Sequence, residues 1–187
     1  MHPQLRAIVD EFDAAQARLH GLVAIAPEQA WSRRAQPGQW SMAECVAHLN
    51  LTAAAYLPLL HAALERGRQI HNPPPRRYRG DLVGWLMWRL AGPPVRHRVR
   101  TPAAFVPTAT APVPELVADF DRWQAAQVAC VTAADRLPLE RLRIVSPFDA
   151  RVRYNAYACL TILPRHEHRH LWQAEQVLGR LHRQGTV

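Results

Sequence analysis

The sequence predicts an all-α protein: a four-helix bundle with a long proline- and arginine-rich insertion between the second and third long helices. Three observations predict it. Four long stretches repeat apolar residues at helical spacing. Between the second and third of them, Gly67–Val113 holds eight of the 16 prolines, which rules out one continuous helix there. No stretch shows the period-two alternation of a half-buried strand. At 187 residues the chain suits a single domain with a full core, with 67–113 as an irregular segment carrying one short helix.

The first helix is expected over Gln4–Ala24. Leu5, Ile8, Val9, Phe12, Ala15, Leu19 and Leu22 form one stripe, and Gly21 and Pro27 bracket the end. Pro37-Gly38 then makes a turn. Ser41 followed by Glu44 reads as a capping box, with Trp40 placed as a hydrophobic staple. The second helix runs from Met42 to about Arg66, with the stripe Met42, Cys45, Val46, Leu49, Ala53, Tyr56 and Leu60 and a kink expected at Pro58. Inside the insertion, Asp81–Leu90 reads as a short apolar helix with Trp85 and Trp88 three apart, stopped by Gly92-Pro93-Pro94. The third long helix covers Pro114–Leu137, with Gln124 and Gln127 lying broadly on its apolar side, and ends at Pro138. Ser146-Pro147-Phe148-Asp149 is a turn or loop. The fourth helix covers Tyr154–Leu181, with a kink or fresh start expected at Pro164.

Composition narrows the function classes. The net charge is +8, and the window Arg66–Arg100, with nine arginines and one acid, accounts for all of it. Every basic residue is arginine, which reads as compositional bias. The plain reading of the window is a solvated connection. The sharper one is an anion-attracting rim for nucleic acid or an acidic substrate. Nucleic acid is disfavoured, because no aromatic stacking platform or known binding motif accompanies the arginines. Cys45, Cys130 and Cys159 are odd in number and widely spaced, which reads as reduced thiols in a cytoplasm. Met1–Glu11 carries charges without a long apolar run, and the longest apolar run, around Leu82–Trp88, is too short to span a bilayer. Neither a secretory leader nor a membrane partner is expected.

The chemistry-bearing stretch is Leu163-Pro164-Arg165-His166-Glu167-His168-Arg169-His170-Leu171-Trp172-Gln173. At about 100° per residue, His166 and His170 lie roughly 40° apart, one turn above the other. Cys159, Leu163, Ala174, Val177 and Leu181 share their side, whereas His168 points away and is expected to be solvated. Two imidazoles four apart on a core-facing stripe can hold one divalent metal. The plainer reading is a hydrogen-bonded pair. A catalytic site needs a third protein ligand. His48 is the best candidate, at the edge of the second helix's stripe about 110° from its centre, with Glu44 and Thr52 one turn either side. His2, His20, His61, His71, His97 and His182 fall in the first helix, beyond Pro58, in the loop or in the tail. Gln173, on the face of His166, and Glu44, on the side of His48, are the candidate catalytic side chains. A polar edge residue and a helix cap are the plainer readings of these two. Cys45 reads as a core cysteine, with a fourth metal ligand as the alternative. Trp85 and Trp88 read as packing residues, with a pocket lining or dimer surface as the alternative.

Trp40-Ser41-Met42-Ala43-Glu44-Cys45-Val46-Ala47-His48-Leu49, together with His166-Glu167-His168-Arg169-His170-Leu171-Trp172-Gln173, resembles the DinB-like superfamily of damage-inducible and thiol-transferase-related four-helix bundles. The resemblance spans the helix order outside Gly67–Val113. It implies a divalent metal, commonly zinc or nickel, on one histidine of the second helix and an HxxxH pair of the last, hence on His48, His166 and His170. It also implies metal-dependent transferases that use a low-molecular-weight thiol, and related isomerases. The expectation is therefore a metal-dependent hydrolase or thiol S-transferase acting on a small-molecule substrate. A non-catalytic, metal-stabilised stress-response binding or assembly protein is the alternative, and a homodimer is a candidate assembly.

Overall fold

The computed structural model describes residues 1–71, 73–94 and 101–185. Four long helices form the bundle: α1 (Pro3–Ile25), α2 (Met42–Arg68), α4 (Val113–Ala133) and α5 (Ala156–Arg183). A short helix, α3 (Leu82–Ala91), lies in the connection between α2 and α4. α2 packs against α4 and α5, and α1 packs against the same two. The capping box starts α2 where expected: Glu44 N–H donates to Ser41 Oγ (3.2 Å) and Ser41 N–H to the Glu44 carboxylate (2.7 Å).

Three expectations are corrected. α5 continues through Pro164 without a fresh start, and Pro58 likewise lies inside α2. Each proline removes one hydrogen bond, but buried residues continue on both sides of it, so apolar packing holds the helix together. α4 ends at Ala133, four residues before Leu137. There Arg136 turns the chain at φ 68° and its N–H donates to the Tyr78 hydroxyl (3.0 Å). The chain also forms a two-stranded antiparallel ribbon, β1 (Arg143–Val145) with β2 (Arg153–Asn155), in the register Ile144 opposite Tyr154. Strands of three residues are too short to show an alternation. The Ser146–Asp149 turn joins them.

The core is in two halves. One gathers Leu5–Phe12 of α1, Tyr56–Leu64 of α2, Cys130–Ala134 after α4's middle and Ala156–Leu163 of α5. The other gathers Ala15–Leu22, Met42–Leu49, Leu116–Phe120 and Leu171–Leu181 of the same helices. Between them lies a layer that the apolar clusters skip. Its buried members are His48, Thr52, Gln124, Gln127, Glu167 and His170. The functional candidates sit in this polar waist.

Candidate metal centre

α2 and α5 bring three imidazoles together. His48, only 1% exposed, and His170, 7% exposed, are buried, and His166 is partly so. The Nε2 atoms of His48 and His166 are 3.3 Å apart, and those of His166 and His170 are 3.1 Å apart. His48 is deeper than its helix-edge position implies. The 3₁₀ turn Ala103–Phe105 covers it, and His48 Nδ1–H donates to the Phe105 carbonyl (2.8 Å). Its partner is thus Phe105, neither Glu44 nor the Thr52 side chain, whose hydroxyl donates to the His48 carbonyl (2.8 Å). A carbonyl only accepts, so the proton sits on Nδ1 and a lone pair on Nε2 faces the cluster.

Burial disfavours charge on the cluster. Burial lowers the proton affinity of His48, with the Phe105 carbonyl opposing. Burial holds His166 and His170 well below the usual imidazole range, and their histidine neighbours and Arg169 add to it. Neutral imidazoles are what a metal binds. The three Nε2 atoms turn toward one another, so each can offer its lone pair to one shared cation when its ring proton sits on Nδ1. Among the described residues, His170 Nδ1 and Gln173 Oε1 are buried without a partner at hydrogen-bonding geometry. Gln173 is nonetheless close enough to favour the protonated form of His170. This donor set fits a divalent ion. Among the described residues, the group contains three ligand side chains.

Aromatic rings wall the cluster. Trp40 lies 4.9 Å from the His48 ring and 5.7 Å from His170, centroid to centroid. Phe148 lies 6.0 Å from His48 and 5.9 Å from His166, and stacks on Phe105 at 4.1 Å. Trp40 carries a visible signal, its place before the capping box. Phe105 and Phe148 carry none, because they come from a turn and a hairpin distant in sequence.

Sequence reasoning also missed Glu167. It is buried on α5 about 100° around the helix from His166, and its two oxygens accept from Gln124 Nε2 and Gln127 Nε2 of α4, both at 2.9 Å. Gln124 Nε2 also donates to the Phe12 carbonyl (3.0 Å). Two glutamines within α4's apolar stripe were the available signal for a buried polar partner.

The remaining candidates are placed as follows. Glu44 holds Arg34 and the Ser41 N–H. Burial raises its proton affinity, but Arg34 and Ser41 together outweigh that and lower it. A cavity of about 200 Å³ beside it is lined by Ser32, Arg34, Ser41, Glu44 and Pro107–Thr110 and includes none of the three histidines. His168 is partly buried, where solvation was expected, because it meets Glu11 Oε2 (3.2 Å) and receives Arg18 alongside. Cys45 is in the core and burial pushes its thiol up to about 12. Of the arginine window, Arg96, Arg98 and Arg100 lie outside the described residues, as does His97.

The chain matches the family model of the DinB superfamily over residues 11–174. Neither curated proteins nor solved structures return a match.

Proposed function

The chain belongs to the DinB superfamily, and from that premise we propose that it is a divalent-metal-dependent enzyme, a hydrolase or a low-molecular-weight-thiol S-transferase. His48, His166 and His170 would hold the ion, with zinc or nickel the best candidates for a set of imidazoles. One observation carries the reading: three imidazole nitrogens converge with three, not four, protein ligands among the described residues. Closed structural sites use four ligands, and catalytic ones leave a position open.

A bound divalent ion supplies Lewis acidity, which lowers the pKa of a coordinated water or thiol. The protein's own groups do the rest. Phe105, through its carbonyl, fixes the tautomer and orientation of His48. Gln173 would do the same for His170. Trp40, Phe105 and Phe148 restrict water around the site. Glu44 is committed to Arg34 and the helix cap, which favours its structural role over a catalytic one. Buried free thiols at Cys45, Cys130 and Cys159 suit a reducing, cytoplasmic setting.

The test is metal content by elemental mass spectrometry on untagged protein. About one ion per chain in wild type, lost in His170→Ala, is expected. The loaded protein is then screened with thiol-transfer and hydrolytic substrates, with His48→Ala as the control. No uptake of zinc or nickel by wild type would overturn the metal reading. Metal without any turnover would favour the non-catalytic, metal-stabilised module.

A further inference from the structure

α3 breaks the pattern of the other helices. It has ten residues, of which only Arg89 is charged. A short helix that is apolar all round is expected to be buried. Here only one face is. Gly84 sits against Ala158 of α5, and Met87 and Ala91 pack on the core. The opposite face presents Leu82 (77% exposed), Trp85 (53%), Leu86 (47%), Val83 and Leu90 to solvent. An apolar surface this continuous on a helix marks a site of interaction.

The charges around it identify the partner's chemistry. Arg76, Arg77 and Arg79 are exposed in the segment that leads into the helix, and Arg89 lies over the Trp85 ring at 5.5 Å. At the other end the Arg165 guanidinium stacks on Trp88 at 3.8 Å, and Arg165 and Arg169 donate to the Trp88 and Leu90 carbonyls, both at 3.0 Å. Asp81 is the sole acid between Arg66 and Arg100 in sequence, and Glu140 reaches the same segment, accepting from the Arg79 N–H (3.1 Å), so the exposed arginines still outnumber the acids there. Asp81 is committed to capping α3 at Gly84 N–H (2.8 Å) and to an ion pair with Arg143. The partner must therefore offer an apolar interior beneath a negatively charged surface. A second copy of this chain would bring arginines onto arginines. An anionic bilayer meets both requirements over a wide area without demanding a matched shape, and tryptophan and arginine side chains suit its interface.

We propose that α3 is a membrane-docking helix: it lies in the plane of an anionic lipid surface, with Leu82, Trp85 and Leu86 entering the acyl boundary and the flanking arginines contacting headgroup phosphates. Among the described residues no helix is long and apolar enough to cross a membrane, so the mode is peripheral. The inference stands on α3 alone and is independent of what the histidine cluster does.

The experiment is flotation of the full chain with vesicles of phosphatidylcholine alone, or of phosphatidylcholine mixed equally with phosphatidylglycerol. Binding is expected to the mixed vesicles and not to the neutral ones, and to weaken as salt is added. The variant Leu82→Ser/Trp85→Ser/Leu86→Ser should bind at least about tenfold more weakly. A separate variant, Arg76→Gln/Arg77→Gln/Arg79→Gln, should lose most of the preference for anionic lipid. All six positions are exposed, so circular dichroism should match wild type. Failure of wild type to float with anionic vesicles at low salt would overturn the proposal, as would undiminished binding by the serine variant. A concentration-dependent dimer, abolished by the serine variant in sedimentation and unaccompanied by vesicle binding, would instead assign the face to a second copy of the chain.

Discussion

Gln173 and Glu167 flank the histidines of α5 with different consequences. Gln173 Oε1 and His170 Nδ1 are both buried, and neither has a hydrogen-bond partner among the described residues. The Gln173→Leu change removes the group that would orient His170. Zinc affinity is expected to fall roughly 10- to 100-fold in competition with a chromogenic chelator, with the fold intact. Unchanged affinity would reduce Gln173 to a polar edge residue. Glu167 acts on stability. Burial raises its carboxyl from the usual 4.5 to about 8, with the Gln127 and Gln124 amides pulling the other way. The folded chain thus holds this proton more tightly than the unfolded one. The associated stability is fully present below 4.5 and is lost as the pH rises through about 8. The histidines have the opposite sign. Burial lowers His166 and His170 from 6.5, so metal-free protein loses stability as the pH falls below that value. The urea midpoint of metal-free wild type should decline between about pH 6.5 and 8.5, and this decline should vanish in Glu167→Gln. An equal decline in that variant would place the titrating group elsewhere.

At the scale of elements, α3 is held by a close approach. A Cβ on Gly84 would overlap Ala158 Cβ, and Tyr154 Cβ lies 3.4 Å from the same point. Both neighbours belong to rigid elements, so the helix must move. The Gly84→Ala change should destabilise the protein by about 1–3 kcal/mol in urea unfolding, despite alanine's better helix propensity. The Ala158→Gly change vacates the contested space. The double variant should therefore be more stable than the sum of the two single effects, and strict additivity would show that the contact is not what seats α3. The prolines of α2 and α5 teach a related lesson. Periodicity shows where a helix is possible, but the packed stripe on both sides of Pro164 decides that it continues.

For the whole molecule, the division of the core into two apolar halves matters most. Each half joins all four long helices, which favours a bundle that holds together without an ion. Metal-free protein is expected to stay folded. Zinc at about 100 times its Kd should add roughly 2.7 kcal/mol of stability by linkage. For a chain of this size that is a rise of about 5–10 °C in Tm by calorimetry. Global unfolding on chelation would overturn the open-site reading and make the ion structural.

The sequence by itself determined the bundle, because helical periodicity and the Ser41–Glu44 cap are local properties of the chain. It also singled out His48, His166 and His170, since two of them share one helical face and the third sits in a capped, motif-rich helix. Only the tertiary structure decided how deeply His48 lies and what holds it, because the Phe105 carbonyl arrives from 57 residues away in sequence. The same is true of Glu167, whose glutamine partners stand on another helix, and of the open face of α3, because exposure depends on what the rest of the chain covers. Residue spacing fixes which side chains share a face; packing fixes which of those faces meets a partner and which is left to solvent.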